Sequence, residues 1–317
     1  MDKHMVRYIA KRTLSSLGTL LFVLLFVFIA ARMTGNPFEV MYPDGMEPGQ
    51  LEQYNEQYGL DQSVPMQFFV YIKGVLQGDF GISLIDKRPV TEIFFEKAAE
   101  TLKLGVGAFV LSVTLGVLGG IFLATQQDNL LAKAINHLIS AVYAIPGFVM
   151  ALLLIMVFGY YLKLLPTILP TMGNATPKHY ILPTVCLSVG PIISITRHVC
   201  NGIKSTLSQD YIQTAVAKGI GKRQVIIGHA FRNALIPTLT IIGMVVVDII
   251  TGSMVIETVF SWPGIGSTMI GAVMNRDFPL IQFSVVALSA VVIVTNYILD
   301  ILYMVVDPRI EKGGKNG

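Results

Sequence analysis

A short segment of small and basic residues, positions 210–233, has the spacing of a docking surface rather than that of a catalytic site. Asp210 can cap the start of a helix. Ile212, Ala215 and Gly219 then recur three and four residues apart, which places them on one helix face. Because alanine and glycine leave space beside a helix, this narrow face can enter a groove on another protein. A solvated basic loop at a membrane surface is the alternative interpretation.

Asp248 is the most conspicuous charged residue within an apolar stretch of the chain. An ionised side chain in the middle of a membrane helix costs about 2.5–3.5 kcal/mol on insertion scales, so a functional role is the default expectation. We predict that the Asp248 carboxylate faces a translocation path and meets a cationic group such as an amine or a metal complex. A protonated or helix-paired structural carboxyl explains the sequence equally well.

The motifs of common catalytic and metal sites do not occur in the sequence. Residues 219–223 lack both the spacing and the hydroxyl of a G-x-x-x-x-G-K-[ST] phosphate-binding loop. The five histidines are scattered without metal-ligand spacing, and there is no H-E-x-x-H motif. We therefore expect no catalytic residue, no metal site and no ATP hydrolysis by this chain itself.

The elements that carry these residues are predicted to be membrane-spanning helices. The 317-residue chain is 53% hydrophobic and 14% charged, with a mean hydropathy of +0.64, which is too apolar for an ordinary soluble domain. The net charge of +3 is not gathered in one basic patch, so we expect no nucleic-acid partner. A span needs about 20 apolar residues. Six segments qualify, at 14–31, 104–125, 138–162, 180–196, 234–256 and 280–306.

The fourth segment is predicted to be a kinked helix. Pro183 and Pro191 lie inside it, and each proline frees a backbone group that neighbouring helices must satisfy. Cys186 and Cys200 stand fourteen residues apart in the same region. At 1.5 Å per residue that separation is about 21 Å, so the two thiols cannot form a disulfide within one helix.

Loop charges predict that both termini are cytoplasmic. The N-terminus, residues 126–137, residues 197–233 and the tail from Asp307 together hold more than half of the 23 Lys and Arg residues, and this bias sets orientation. The long acidic segment from Arg32 to Lys103 is then external. We predict that it forms a small ordered cap with amphipathic helices at 51–58 and 64–76; a solvated connector is the alternative.

The docking segment resembles the EAA-type coupling segment of ATP-binding-cassette (ABC) importers, in the version found in the dipeptide, oligopeptide and nickel permease family. Further motifs of that family occur in order over nearly the whole chain. They are Gly78-Asp79-Phe80-Gly81 before the second helix, Glu257-Thr258-Val259-Phe260-Ser261-Trp262-Pro263-Gly264-Ile265-Gly266 after the fifth, then Arg276-Asp277-Phe278-Pro279 and Asp307-Pro308-Arg309.

The resemblance implies an all-α polytopic membrane protein with six transmembrane helices. It implies the type I transmembrane fold of ABC importers, with a small extracytoplasmic segment between helices 1 and 2. The expected organisation is a first helix with the extracytoplasmic segment at 1–97, a five-helix core at 98–306 that contains the coupling loop 201–233, and a cytoplasmic tail at 307–317.

The same resemblance implies a permease subunit of an ATP-driven, binding-protein-dependent importer in the bacterial inner membrane. Its cargo would be di- or oligopeptides or a related small solute such as a nickel chelate. The expected partners are a paralogous permease in a heterodimer, two ABC ATPases that use ATP and magnesium, an extracytoplasmic solute-binding protein and the lipid bilayer. The residues expected to couple to the ATPases are Asp210, Thr214, Ala215, Ala217, Lys218, Gly219, Arg232 and Asn233.

Two departures from the family pattern limit this transfer. Gln213 and Thr214 stand where the general EAA pattern has Glu and Ala, and residues 34–37 read Thr-Gly-Asn-Pro rather than Pro-Gly-Asp-Pro. Docking by this loop is therefore expected, but the individual ion pairs of the family pattern are not carried over to this sequence. A self-contained secondary transporter or channel is the alternative function, on the grounds of Asp248 and the proline-broken fourth segment. An intramembrane hydrolase would need a nucleophile and base that the sequence lacks.

Overall fold

Every regular element that the structure describes is a helix, apart from one isolated antiparallel bridge between Ile82 and Pro89. The computed structural model describes residues 3–42, 44–47, 49–168, 176–210, 212, 221 and 224–306. The helices are α1 (Lys3–Met33), α2 (Pro37–Met41), α3 (Gln50–Gln57), α4 (Val64–Gln77), α5 (Val90–Thr125), α6 (Leu130–Tyr143), α7 (Gly147–Leu154) with a π-helical extension (Ile155–Tyr161), α8 (Pro177–Leu207), a π-helical segment (Val225–Ala230) followed by α9 (Phe231–Val259), α10 (Ile265–Met274) and α11 (Phe278–Val306). The all-α prediction is confirmed.

Within the described ranges, five helices are long and apolar enough to cross a membrane. These spans are Arg12–Met33, Val90–Thr125, Pro177–Leu207, Thr238–Val259 and Phe278–Ile301. A sixth span is reached only if α6 and α7 with its π-helical extension count together, because the two parts are bent by 108°. The third segment predicted at 138–162 therefore falls on two helices joined at a bend.

The break between α6 and α7 has a local cause in Pro146. Proline has no backbone N–H and disfavours helical geometry in the residue before it, here Ile145. Helix α6 accordingly ends at Tyr143, and α7 begins at Gly147 with Pro146 at its N-cap.

Helix α8 runs without interruption through Pro183 and Pro191 and extends eleven residues past the predicted end at Thr196. Its first turn is closed by a capping box in which Thr176 and His179 bond each other's backbone, which satisfies two otherwise orphaned N–H groups. Helix α9 likewise starts at Phe231 and passes without a break into the predicted fifth span. The end of the docking segment, residues 231–233, is thus continuous with a membrane helix.

The described chain divides into two compact units. Unit 1 is Met1–Ala99 with Gly264–Val294, and unit 2 is Glu100–Pro263 with Thr295–Gly317. Within unit 2, α5 approaches α8 closely through glycines. A Cβ added at Gly116 would lie 2.6 Å from the Ile195 Cβ, and one at Gly120 would lie 2.5 Å from the Val199 Cβ. Small residues allow such contact between membrane helices, where packing rather than the hydrophobic effect holds helices together.

Within unit 1, α4 packs on the C-terminal half of α1 through aromatic rings. The Phe28 ring centroid lies 5.0 Å from that of Phe68 and 5.8 Å from that of Tyr71. Helix α3 is held beside α2 by the stacked rings of Phe38 and Tyr54, 4.9 Å apart. Helices α3 and α4 match the amphipathic stretches expected at 51–58 and 64–76 to within one residue. This segment is an ordered structure rather than a bare connector.

Candidate functional site

Most of the predicted coupling residues fall outside the part of the chain that the structure describes. Asp210 is described and exposed. Ile212, assigned from sequence to the docking face, is only 2% exposed and belongs to the packing of the chain itself. The coupling residues outside the described positions are Thr214, Ala215, Ala217, Lys218 and Gly219, and the side chains of Arg232 and Asn233 at the start of α9.

Asp248 lies on a continuous exposed face of α9. Exposed residues recur along this helix at alternating intervals of four and three, which keeps them on one side. We call this stripe the Asp248 face; it consists of Met244, Asp248, Thr251, Val255 and Thr258. The Thr251 hydroxyl donates to the backbone carbonyls of Val247 and Asp248, at 3.0 and 3.2 Å, and not to the Asp248 carboxylate. No other residue in the described structure hydrogen-bonds that carboxylate.

A cavity of about 340 Å³ adjoins Asp248 between α7, α8 and α9. Its walls include Phe148, Leu187 and Pro191, and Asp248 is the only acidic or basic residue among the described lining. Gly252, one turn along α9, leaves the cavity open on the side of the helix that carries the carboxylate. An unpaired carboxylate beside an apolar hollow is suited to bind a cation of an incoming ligand or of a partner.

The motif that follows the fifth span closes the C-terminal end of α9. The buried Glu257 accepts a 2.7 Å hydrogen bond from the Thr101 hydroxyl. Trp262 donates its backbone N–H to the Glu257 carbonyl at 2.7 Å and its indole N–H to the Glu100 carbonyl at 3.2 Å. Its ring also meets that of Tyr180 edge-on at 4.6 Å between centroids. Glu257 and Trp262 therefore connect α9 to α5 and α8.

The remaining residues of this motif occupy the connection to α10. Pro263 is the last residue of the first stretch of unit 2, and Gly264 is the N-cap of α10. Gly266 is buried in the first turn of that helix. These positions mark helix boundaries and contribute no group that could act as an acid, base or nucleophile.

Two family motifs from opposite ends of the sequence meet in unit 1 around Asp277. The buried Asp277 carboxylate accepts hydrogen bonds from the Ser83 hydroxyl at 2.5 Å and from the backbone N–H of Leu84 at 3.1 Å. Gly81 packs against Pro279, where an added Cβ would lie 3.4 Å from the Pro279 Cβ. The motif at 78–81 and the motif at 276–279 thus form one structure.

The first of these motifs is a tight turn that ends α4. Gly78 caps the helix in the left-handed conformation with φ of +81°, and Gly81 has φ of +89°, a region that residues with a Cβ rarely adopt. The Asp79 carboxylate accepts a 3.0 Å hydrogen bond from the Gly81 N–H. Asp79 therefore stabilises a turn, and the described residues contain no group of three or more His, Cys, Asp or Glu side chains that could hold a metal ion.

The segment that departs from the family pattern, residues 34–37, joins the same structure. Arg276 donates from Nη1 to the Asn36 carbonyl at 3.1 Å. Gly35, with φ of +94°, lets this guanidinium approach, since an added Cβ would lie 3.0 Å from Arg276 Nη1. The roles of Asn36 and Ser83 were not predictable, because their partners lie roughly 200 residues away along the chain.

Comparison with known proteins agrees with these motifs. The family model "Binding-protein-dependent transport system inner membrane component" matches residues 116–312, and its N-terminal companion matches residues 5–105. The chain is similar to a crystal structure of an amino acid ABC transporter with histidines, with a TM-score of 0.52 and 18% identity over 67% of this chain and 94% of that chain. That likeness shows the fold.

Curated relatives extend over almost the entire chain. AppB, an oligopeptide transport system permease protein of Bacillus subtilis, is 34% identical and the match covers 97% of this chain and 100% of AppB. DppB, a dipeptide transport system permease protein of Lactococcus lactis, is 36% identical over 97% and 100%. GsiC, a glutathione transport system permease protein of Escherichia coli, is 33% identical over 97% and 99%.

Three observations agree on one assignment. The described elements are helical and include at least five apolar spans, and the family's motifs pack together in the fold. Relatives also match over almost the full length of the chain. The chain belongs to the family of binding-protein-dependent transport system inner membrane components, multi-pass bacterial inner-membrane permeases of ABC importers that work with ATPase and substrate-binding subunits.

Proposed function

We propose that this permease forms half of a translocation path for peptides, paired with a paralogous permease, and that Asp248 contacts the cargo. The observation that carries the proposal is the Asp248 carboxylate on an exposed face of a membrane helix, with no hydrogen-bond partner among the residues that the structure describes. Lipid cannot solvate an ionised carboxylate at that depth, so the Asp248 face is expected to border water or another protein. A second permease that packs opposite the Asp248 face would enclose both this face and the water beside it.

The cargo named for the relatives supports a peptide. AppB, DppB and GsiC are described as permeases for oligopeptides, dipeptides and glutathione. A peptide with a free N-terminus carries an α-amino group, which is largely protonated at neutral pH. That ammonium group has the charge and the hydrogen-bond donors that the Asp248 carboxylate lacks. A nickel chelate is the alternative cargo.

Movement of the ATPases would reach this path through α9. We assign coupling to the loop around Ala215 and Gly219, followed by Arg232 and Asn233 at the start of α9. Asp248 lies seventeen residues beyond Phe231 in the same unbroken helix, about 25 Å along its axis at 1.5 Å per residue. A rigid helix of that length carries a displacement from the loop to the middle of the membrane.

The remaining topology follows the loop charges. In this arrangement both termini and the coupling loop 201–233 are cytoplasmic, and the ordered segment between α1 and α5 is extracytoplasmic, where it meets the substrate-binding protein. The functional division is then 1–97, 98–306 and 307–317. Solute would move inward.

Replacement of Asp248 by Asn tests the cargo contact. The complete transporter, with its ATPases and binding protein, is reconstituted in vesicles. ATP-driven uptake is then measured for two forms of one peptide, one with a free N-terminus and one with an acetylated N-terminus. Loss of one charge-assisted hydrogen bond is expected to lower the free-to-acetylated uptake ratio about tenfold. Asp86→Asn is the matched control, because Asp86 is exposed and outside the spans.

The same measurement separates the alternatives. Unchanged uptake and unchanged preference in Asp248→Asn would make the carboxylate structural. ATP-independent accumulation by the isolated chain would instead support a self-contained transporter.

A further inference from the structure

Unit 1 contains a cavity of about 490 Å³ between the end of α1, helix α4 and the motif at residues 276–279, which we call the Asp277 motif. Two buried polar atoms from its lining residues, Arg32 Nη1 and Gln282 Nε2, have no hydrogen-bond partner within the part of the chain that the structure describes. The Gln282 residue is only 3% exposed. Tyr71 also lines the cavity, and burial raises its pKa to about 12, so its hydroxyl keeps its proton. Two donors beside the cavity, on Arg32 and Gln282, therefore lack an acceptor among the described residues.

The Arg32 guanidinium is held in place without a counter-charge. Its Nε donates to the Gln67 amide oxygen at 3.1 Å, and its central carbon lies 4.0 Å from the ring centroid of Phe28. Glu56 and Asp79 also line the cavity, but both are exposed, and no described carboxylate forms an ion pair with Arg32. Since a buried cation is costly unless it is paired, an anion is the expected ligand.

The position of Arg32 indicates where that anion comes from. Arg32 is the penultimate residue of the apolar span Arg12–Met33, so it lies at a membrane–water boundary. Helix α4 packs on this end of α1 and turns an apolar face outward, with Phe69 and Leu76 64% and 83% exposed. A helix of this kind lies in the headgroup region of a bilayer. Val70 of the same helix lines the cavity.

We propose that this cavity binds the phosphate of a phospholipid headgroup, with the Arg32 guanidinium and the Gln282 amide donating to its oxygens. Arginine forms short, charge-assisted hydrogen bonds to phosphate. The acyl chains would follow the exposed apolar face of α4 into the bilayer. Phe278 and Pro279 of the Asp277 motif form another wall. A bound lipid would therefore stabilise the contact between this motif and the motif at residues 78–81. The site is independent of the cargo and of Asp248.

Lipid retention measures the site directly. The full-length chain is purified in detergent, stripped of lipid, incubated with phosphatidylglycerol and weighed by native mass spectrometry. Wild type is expected to retain one lipid. Arg32→Gln and Gln282→Glu are each expected to weaken binding about tenfold, the effect of one strong polar contact. Arg88→Gln is the matched control, since Arg88 pairs with Glu92 and Glu96 on the exposed surface.

Gln282→Glu separates binding from folding. The new carboxylate has the shape of the amide and supplies a counter-charge within the same cavity, so it should expel the phosphate without lowering the melting temperature. Arg32→Lys keeps the charge and should restore part of the binding lost in Arg32→Gln.

Three results would overturn the proposal. Wild-type retention in both Arg32→Gln and Gln282→Glu would exclude this cavity. Equal retention of diacylglycerol, which has no phosphate, would exclude headgroup recognition. Displacement of the lipid by millimolar inorganic phosphate, with no preference for the phospholipid, would make the ligand a soluble anion.

Discussion

At the scale of single residues, buried polar side chains hold the family motifs in shape. Asp277 is such a residue, and its carboxylate has hydrogen-bond donors around it, whereas the Asp248 carboxylate has none among the described residues. The two oxygens of Asp277 accept from the Ser83 hydroxyl and from the Leu84 N–H, and Leu280 N–H lies 3.4 Å from one of them. The donors around Asp277 agree with a structural role, and the lack of donors around Asp248 within the described residues agrees with the proposed contact to cargo.

Asp277→Asn is expected to destabilise unit 1. The amide replaces one acceptor by a donor that would face Ser83 Oγ or the Leu84 N–H, and an unsatisfied buried group of this kind costs about 1–3 kcal/mol. Thermal unfolding of the detergent-solubilised chain should therefore shift downward. Asp86→Asn, on the exposed side of the same loop, should leave the transition in place. Coincident curves for the two variants would contradict the assigned role of Asp277.

At the scale of elements, the contact of α5 with α8 depends on the absence of side chains. Gly116, Gly119 and Gly120 line the α5 surface that meets Ile195, Thr196 and Val199. The Thr196 hydroxyl also donates to the Gly116 carbonyl at 3.2 Å across the helix pair. The packing of α5 on α8 in unit 2 rests on this close approach.

Gly120→Ala is expected to destabilise the helix pair although alanine is the better helix former. Its Cβ would lie 2.5 Å from the Val199 Cβ and 2.8 Å from the Thr196 carbonyl oxygen. Overpacking of that kind costs about 1–3 kcal/mol. Gly18→Ala in α1 has no atom within 4 Å of the new Cβ, and helix propensity alone should stabilise it by up to about 1 kcal/mol. Opposite shifts in melting temperature are expected, and a stabilised Gly120→Ala would refute the close contact.

At the scale of the whole molecule, the proposed function depends on transmission from the coupling loop to the membrane. Gly219→Val adds a β-branched side chain to the small docking face. Uptake by the reconstituted transporter should fall at least about tenfold, the equivalent of a clash of about 1.4 kcal/mol at the interface. ATPase subunits should still copurify with the variant. Full uptake would show that the loop does not transmit the movement.

The orientation of the chain is a second prediction at this scale. Gln53→Cys in α3 should react with a membrane-impermeant maleimide on intact cells, and Lys133→Cys in α6 should react only after the cells are opened. Both positions are exposed. The native Cys186 and Cys200 are buried, so wild type supplies the unlabelled control. The reverse pattern would invert the proposed topology.

The sequence alone determined the class of the protein and most of its helices. Apolar length, loop charge and local capping are properties of neighbouring residues, so the spans, α3 and α4 could be predicted from short windows. The motifs also sufficed for the family. The chain even predicted that Asp248 would be unusual, because one charge in an apolar helix stands out without knowledge of its surroundings.

Only the tertiary structure decided which residues meet. Three features bring together positions far apart in the chain. They are the hydrogen bond between Asp277 and Ser83, the approach of Arg276 to Asn36, and the cavity shared by Arg32 and Gln282, whose donors have no partner among the described residues. No periodicity or local motif contains that information, because long-range contacts follow from how packed helices satisfy buried polar groups together. The bend at Pro146 likewise turned one predicted span into two helices, since a hydropathy window counts apolar residues and does not register a change of direction.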